Sequence, residues 1–149
     1  KSTLPDFPVP TTDSVSLLFP ATPDPARRAK TALVDAESNK SLTYGQLQDR
    51  VGRLAAGLQR LEGWSKWNVV ALFSRNHLFY GSVVFATLKA GGAISPANPT
   101  YTSDEFAYQL RDSRAKYIIT TSEFLPVVTD AASKADISRS RIFLLDPHP

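Results

Sequence analysis

The feature that most constrains the fold is the run NVVALFS, Asn68 to Ser74, whose five inner residues are all apolar. A strand with one solvated face alternates apolar and polar residues, whereas a strand covered on both faces is apolar throughout. Strands of the second kind are typical of parallel sheets with helices on both sides. The run therefore predicts an α/β fold and requires its neighbours to supply covering helices.

The segments after this run alternate between helix and strand patterns, as a mostly parallel sheet requires. In chain order the prediction is a helix over 78–90 with Asn76 as its N-cap, a short strand at 91–95, a helix over 103–112, a strand over 115–122, a helix over 123–135 with Pro126 in its first turn, and a buried strand over 141–145. The apolar run 68–74, the helix over 78–90 and the strand at 91–95 form a β-α-β unit whose crossover should be right-handed.

Two helix starts carry the sequence signature of a capping box, in which two side chains satisfy main-chain N–H groups of the first turn. Thr43 precedes Gln46 by three residues, and Thr102 precedes Glu105 by the same spacing. The first box opens a helix predicted over 44–61, whose apolar stripe consists of Leu47, Val51, Leu54, Leu58 and Leu61. The runs TALVDA and SLTY before it predict a short β-hairpin.

Residues 1–30 are predicted to be a proline-rich N-terminal arm, and residues 31–149 a partial α/β subdomain. Six of the 11 prolines lie within residues 1–26, on either side of the apolar run SVSLLF. This composition favours an extended arm with one helical turn that lies over the surface of the domain.

Composition excludes several classes of function. The chain has no cysteine and two histidines, which excludes disulfides and argues against a zinc site. The net charge is +3 with the basic residues scattered along the chain, so no nucleic-acid partner is expected. No apolar run is long enough to span a bilayer, and the sequence suits a cytoplasmic protein.

The sequence predicts no catalytic, cofactor-binding or metal-binding residue in this chain. The segment SRNHLF after the first buried strand lacks glycine, so neither the dinucleotide fingerprint nor a P-loop is present. Gly91 and Gly92 follow a helix and precede a strand, which indicates a helix C-cap and a close-packing pair.

Several side chains have both a chemical and a structural interpretation. His77 follows a strand end and is either a general base or a histidine of the first helical turn. Asp104 and Glu105 are either an acid–base pair or residues of a helix start, where negative charge is favoured. Trp64 and Trp67 either stack on a ring or a partner or cover a core edge. The candidate nucleophiles are Ser14, Ser16, Ser74 and Ser82, but no serine of the chain lies in a nucleophile elbow.

In order, SLTYGQLQDRVGRLAAGLQRL and NVVALFSRNHLFYGSVVFATLKAGGAISPANPTYTSDEFAYQLRDSRAKYIIT resemble the N-terminal region of adenylate-forming acyl-CoA synthetases, most of all the 4-coumarate:CoA ligase branch of fungi and plants. The resemblance covers about 31–121. Its most telling points are Gly91-Gly92, Pro96, Asn98-Pro99 and Thr102 to Glu105. The chain departs from the family at Lys66-Trp67-Asn68, where a Gly-Asp pair is usual.

The resemblance implies a parent enzyme that uses ATP and magnesium to convert an aryl or fatty acid to an acyl-adenylate and then transfers the acyl group to coenzyme A. The family's phosphate loop and catalytic lysine follow the region seen here, so this chain by itself is expected to be inactive and to bind no cofactor. Its expected partners are the remainder of the parent enzyme and, in the parent, the carboxylic acid. A C-terminal signal in the parent would make it peroxisomal.

A second hypothesis is a noncatalytic, truncated paralogue that acts as an interaction or oligomerisation module. Strands and helices that are apolar on both sides need covering layers, which a chain of 149 residues supplies only in part. An apolar surface would then stay exposed and favour self-association.

Overall fold

The computed structural model describes residues 9–22 and 24–146. Its α-helices are α1 (Ser14–Leu18), α2 (Pro25–Ala29), α3 (Tyr44–Gln59), α4 (Tyr80–Lys89), α5 (Ser103–Asp112) and α6 (Leu125–Lys134). Its strands are β1 (Thr31–Val34), β2 (Ser41–Thr43), β3 (Val69–Phe73), β4 (Ala93–Ala97), β5 (Ala115–Thr120) and β6 (Ile142–Leu144). Short 3-10 turns follow β5 and precede β6.

The strands form a two-stranded antiparallel hairpin and a four-stranded parallel sheet. The hairpin pairs β1 with β2, as the sequence predicts. The larger sheet has the order β4-β3-β5-β6, and each adjacent pair is parallel. The predicted α/β architecture with a parallel sheet is therefore confirmed.

The central strand β3 is buried on both faces because helices cover each side of the sheet. Val70 and Leu72 point to one face, where they pack with residues of α3 and α4. Ala71 and Phe73 point to the other face, against α5 and α6. All four side chains are fully buried, and each large one stabilises the fold by roughly 1.5–3 kcal/mol. The uninterrupted apolar run of the sequence follows directly from this position.

The N-terminal arm packs on α3, but it contains two short helices rather than the single helical turn that the sequence predicts. Asp13 caps α1 by accepting hydrogen bonds from the main chain of Val15 and Ser16. Val15 is buried among residues of α3, so part of the arm is anchored to the domain. Proline at the start of α2 ends the extended path, since its fixed φ suits the first helical position. Residues 1–8 of the predicted arm lie outside the described part of the chain.

Both predicted capping boxes are present. Thr43 accepts from Gln46 N at 3.2 Å, and the Gln46 side chain accepts from Thr43 N at 2.9 Å. Thr102 and Glu105 form the same reciprocal pair at the start of α5. α5 has the bounds that the sequence predicts, while α3 ends two residues before Leu61.

The predicted N-cap at Asn76 is wrong, and α4 begins at Tyr80 instead of residue 78. Phe79 occupies the cap position and provides no side-chain hydrogen bond. His77 is the physical reason: its Nδ1 accepts from Phe79 N at 3.3 Å, and its carbonyl accepts from Tyr80 N at 2.9 Å. These bonds make a separate turn between β3 and α4.

The two outer strands of the sheet also differ from the prediction. β6 is half-buried rather than buried, because in the described chain it pairs with β5 alone. β4 continues past the predicted end and includes Pro96. Proline has no main-chain N–H, so it is tolerated there because β4 is an edge strand.

Gly91 and Gly92 serve as a C-cap and a close-packing pair, as predicted. Gly91 has a φ of 81°, a conformation that favours glycine, directly after the last turn of α4. A Cβ on Gly92 would lie 2.9 Å from the Asn68 carbonyl oxygen and 3.0 Å from the Trp64 ring. The pair therefore sets the distance between α4 and the amino end of β3.

Candidate functional site

The strand order places a topological switch point at the carboxyl ends of β3 and β5. These two strands are neighbours, but the connection after β3 leads to α4 on one face and the connection after β5 leads to α6 on the other. Open α/β sheets bind ligands in the crevice that such divergent connections leave. The loops 74–77 and 121–123 are therefore the candidate site.

Polar contacts join the strands and loops at this edge. The Thr120 hydroxyl donates to the Phe73 carbonyl at 2.8 Å and ties β5 to β3. Beyond the strands, Arg75 Nε lies 3.7 Å from a carboxylate oxygen of Glu123. Both side chains are more than half exposed, so this pair contributes little to stability.

A carboxylate just after β6, the strand beside β5, holds the loop 121–123. Both carboxylate oxygens of Asp146 accept from Ser122 N, at 2.9 Å and 3.1 Å. Burial raises the pKa of Asp146, but hydrogen bonding from Ser122 outweighs burial, so the pKa lies below its ordinary value. Asp146 is therefore ionised at neutral pH and fixes the start of the 3-10 turn.

His77 is half-buried at this edge and its ring lies 5.2 Å from the ring of Phe79 in an edge-on arrangement. Its Nδ1 is engaged by the Phe79 main chain, which supports the structural interpretation of this histidine. The Ser74 hydroxyl donates to the Arg75 carbonyl rather than to His77. The arrangement therefore pairs no nucleophile with a base among these residues.

Two hydroxyls at the site, those of Thr121 and Ser122, have no partner among the described residues. Thr121 is 7% exposed, and its Oγ1 makes no hydrogen bond there. Sequence reasoning did not single out Thr121, Glu123 or Asp146. Thr121 lies at the end of a predicted strand, and Glu123 and Asp146 directly follow predicted strands. That position was the available signal, because parallel strands end at the same edge.

The carboxylates Asp104 and Glu105 are structural. Glu105 completes the capping box, and hydrogen bonds from Thr102 hold the pKa of Glu105 below its usual value. Asp104 lies 2.7 Å from Lys134 Nζ, which links α5 to α6. The interpretation of the two acids as helix-start residues agrees with these contacts.

The remaining serine candidates have ordinary surroundings. Ser14 and Ser16 are exposed on α1, and the Ser16 hydroxyl donates to the Asp13 side chain at 2.6 Å. Ser82 is buried within α4. Its Oγ has no hydrogen-bond partner among the described residues.

The two tryptophans have opposite environments. Trp64 packs 5.3 Å from the ring of Tyr117, and its Nε1 donates to the Ala90 carbonyl at 3.2 Å. Trp67 is 73% exposed. Trp64 thus covers a core edge as predicted, whereas Trp67 does not.

Within residues 9–22 and 24–146, no three side chains of histidine, aspartate, glutamate or cysteine come together as potential metal ligands. In the same ranges, no helix combines the length and the apolar character needed to cross a membrane.

Comparison with known proteins gives a single family. The model of the family described as AMP-binding enzyme matches residues 24–147. The acyl-CoA ligase azaF of Aspergillus niger is 35% identical over 138 residues, which are 91% of this chain and 25% of that protein. The 4-hydroxybenzoate–CoA/benzoate–CoA ligase of Rhodopseudomonas palustris is 34% identical over 79% of this chain and 21% of its own length.

Solved structures agree with this result. A benzoate CoA ligase from Burkholderia xenovorans superposes with a TM-score of 0.78 at 26% identity, over 89% of this chain and 26% of that one. The chain thus spans about a quarter of the length of the relatives it matches.

Proposed function

Because this chain belongs to the AMP-binding enzyme family, we propose that it is the N-terminal part of a ligase that joins a carboxylic acid to coenzyme A. The observation that carries the proposal is the family match over residues 24–147, which includes the whole parallel sheet. Since the chain covers about a quarter of its relatives, the activity is assigned to the parent protein.

The proposed reaction has two steps in the parent enzyme. The acid and ATP give an acyl-adenylate and pyrophosphate, and the coenzyme A thiol then replaces AMP to give the thioester. The proposed substrate is an aryl or fatty acid. Relatives named for phenylacetate and for benzoate support the aryl choice.

The residues at the carboxyl edge do not fit the ATP phosphates. Glycine-rich loops cradle phosphate with main-chain N–H groups, but the loop Ser74 to His77 contains no glycine. The carboxylates of Glu123 and Asp146 at the same edge would repel a polyphosphate. We therefore assign ATP and magnesium to segments of the parent outside this chain, and we derive no catalytic step from the residues described here.

The proposed role of this chain is to provide a parallel sheet with helices on both faces. The remainder of the parent would pack against the outer surface of this unit. Its own apolar surface supports this role, since Leu17, Val34 and Tyr108 are each more than half exposed. The isolated chain is accordingly proposed to self-associate. We place the parent in the cytoplasm, or in the peroxisome where it carries a C-terminal signal.

The test compares the 149-residue chain with the parent reading frame in a carboxylate-dependent exchange of pyrophosphate into ATP, using benzoate, phenylacetate and a long-chain fatty acid. We expect exchange with at least one acid for the parent and none for the chain alone. Turnover by the chain alone would contradict the assignment of ATP to other segments. A parent that is folded yet inactive with every acid and ATP would contradict the proposed reaction.

A further inference from the structure

Among the described residues, β4 and β6 each pair with a single strand, and their open edges differ. The main-chain N–H and C=O groups of successive residues point to alternate sides of a strand. Ala93 N donates to the Asn68 carbonyl beside β3, so the main chain of Pro96, three positions later, faces the open side of β4. Proline has no N–H to donate, and the Pro96 carbonyl accepts from the Gln109 side chain at 3.0 Å. These two features close the edge of β4 to a further strand.

The open edge of β6 has no such protection. Leu145 N donates to the Thr120 carbonyl at 2.8 Å, so the main chain of Leu144 faces away from β5. The strand Ile142–Leu144 contains neither proline nor a charged residue, two of the devices that keep an edge strand from pairing. The N–H and C=O groups of Leu144 are therefore placed to pair with a further strand.

The side chains of β6 also lack part of their cover. Ile142 packs with the cluster of α5 and α6, and Phe143 packs with the cluster on the opposite face of the sheet. β6 thus has apolar side chains on both faces, like β3, yet its residues are only half-buried, whereas Ile118 of the adjacent β5 is fully buried. A strand that is apolar on both faces is typical of the interior of a parallel sheet.

The order of the strands indicates where a further strand would be added. After β4, the chain returns to the other side of β3, and β5 and β6 are then added one after the other in the same direction. Consecutive strands are usually neighbours in the sheet, so a strand that follows β6 in the chain belongs at its open edge. This chain covers 25% of the ligase azaF, so a parent of that length has room for further strands.

The helices indicate on which face the connection to that strand would lie. α5 precedes β5 and α6 precedes β6, and both helices pack on the face of Ala71 and Phe73. Because crossovers between parallel strands are right-handed, strands added in one direction have their helices on the same face. A connection from β6 to a parallel strand beyond it therefore lies on the α6 face, where it would cover Ile142.

We propose that the open edge of β6 receives the next strand of the parent protein, parallel to β6 and apolar on both faces, with its connecting segment on the α6 face. This inference rests on the proposed function in one respect, since it takes the chain to be part of a longer parent. The occupant is a segment of the same polypeptide rather than a second copy, because its linkage to β6 gives it a high effective concentration at this edge.

Hydrogen exchange at low protein concentration tests the proposal by comparing the 149-residue chain with the parent reading frame. We expect the Leu144 amide to exchange at least about a hundredfold more slowly in the parent, because a hydrogen bond to the new strand protects it. The Ile94 amide is the control, since it faces the open side of β4 and should exchange at the same rate in both proteins.

Three outcomes of the exchange experiment would overturn the proposal. The first is equal exchange of the Leu144 amide in the two proteins, and the second is equal slowing of Leu144 and Ile94 in the parent. The third is protection of Leu144 in the isolated chain that increases with protein concentration, which would assign the edge to a second copy.

Leu144→Pro provides a second test, with Leu144→Ala as its matched control. Both variants lose the leucine side chain, but only proline removes the N–H that the new strand would bind. In the parent, Leu144→Pro should melt several degrees below Leu144→Ala. In the isolated chain that N–H faces solvent, so the difference between the two variants should be much smaller. The same difference in both proteins would overturn the proposal.

These experiments separate the added strand from the proposed reaction. A parent that activates no acid but protects the Leu144 amide would contradict the reaction alone. A parent that activates an acid, yet exchanges the Leu144 amide as fast as the isolated chain does, would contradict the added strand alone.

Discussion

The two ends of the parallel sheet are held by different interactions. At the amino end, the turns before β3 and before β4 interlock through main-chain hydrogen bonds, from Trp67 N to Gly91 O at 2.8 Å and from Ala93 N to Asn68 O at 2.9 Å. At the carboxyl end, Asp146 holds the loop after β5.

The difference separates two sources of stability in one sheet. The amino end depends on steric fit between neutral groups, so its contribution should not change with pH. The carboxyl end depends on a carboxylate, so its contribution should be lost in acid. Substitutions at one end and changes of pH at the other test this division.

The largest effect is expected for Gly92→Ala. The new Cβ would lie within 3.1 Å of Asn68, Trp64 and Thr87, and one of these contacts is with a main-chain oxygen that cannot rotate away. Overpacking of this kind costs about 1–3 kcal/mol, and we expect the upper end of that range. Urea unfolding at neutral pH measures the loss.

Gly57→Ala is the matched control for Gly92→Ala. A Cβ there meets no atom within 4 Å, and Gly57 lies within α3, where alanine is favoured by up to about 1 kcal/mol. The control should unfold at equal or higher urea concentration. If Gly92→Ala were as stable as Gly57→Ala, the close approach of α4 to β3 would not be a packing constraint.

A smaller loss, about 1–2 kcal/mol, is expected for Gly91→Ala, because the cost comes from the left-handed conformation and not from a clash. The nearest atom to the new Cβ is 3.6 Å away, on the Lys66 side chain. Gly91→Asn should lose less than Gly91→Ala, since asparagine tolerates this conformation. Equal losses in the two variants would show that φ is not the cause.

The smallest effect concerns pH and the carboxyl end. The pKa of Asp146 is lowered in the folded state, so its contribution is present above the unfolded pKa, about 4, and is lost as pH falls through the folded pKa. Asp146→Asn should therefore lose less stability than the original chain between about pH 5 and pH 3. The measurement is the urea midpoint of unfolding at about pH 5 and at about pH 3. The same loss of stability in both proteins would show that Asp146 does not cause the pH dependence.

Gly92→Ala supplies the control for that experiment. Its destabilisation relative to the original chain should be the same at about pH 5 and about pH 3, because no titrating group takes part in the clash. A destabilisation that grew or shrank in acid would mean that the two ends of the sheet are coupled.

The sequence predicted the architecture well because its local signals agree with the tertiary structure. The apolar run of β3 and the capping boxes at Thr43 and Thr102 each depend on neighbouring residues, and each is confirmed. Asn76 was mispredicted as an N-cap because the competing bond from Phe79 N to His77 depends on a side-chain rotamer. The half-buried state of β6 could not be predicted, because burial depends on which strands pair.

Less of the candidate site than of the architecture could be predicted from the sequence. His77 was recognised from its place after a strand, but Asp146 lies 24 residues from the Ser122 amide that it binds. Only the strand order β3-β5-β6 brings these loops to one edge.

The sequence by itself determined the order of helices and strands from β1 to β6 and that the sheet is covered on both faces, because periodicity, capping and turn residues act over a few neighbours. Only the tertiary structure decided which of two nearby tryptophans packs into the fold, since Trp64 contacts Tyr117 and Ala90 whereas Trp67 is exposed in a turn with a positive φ. Contacts between residues distant in the chain set this outcome.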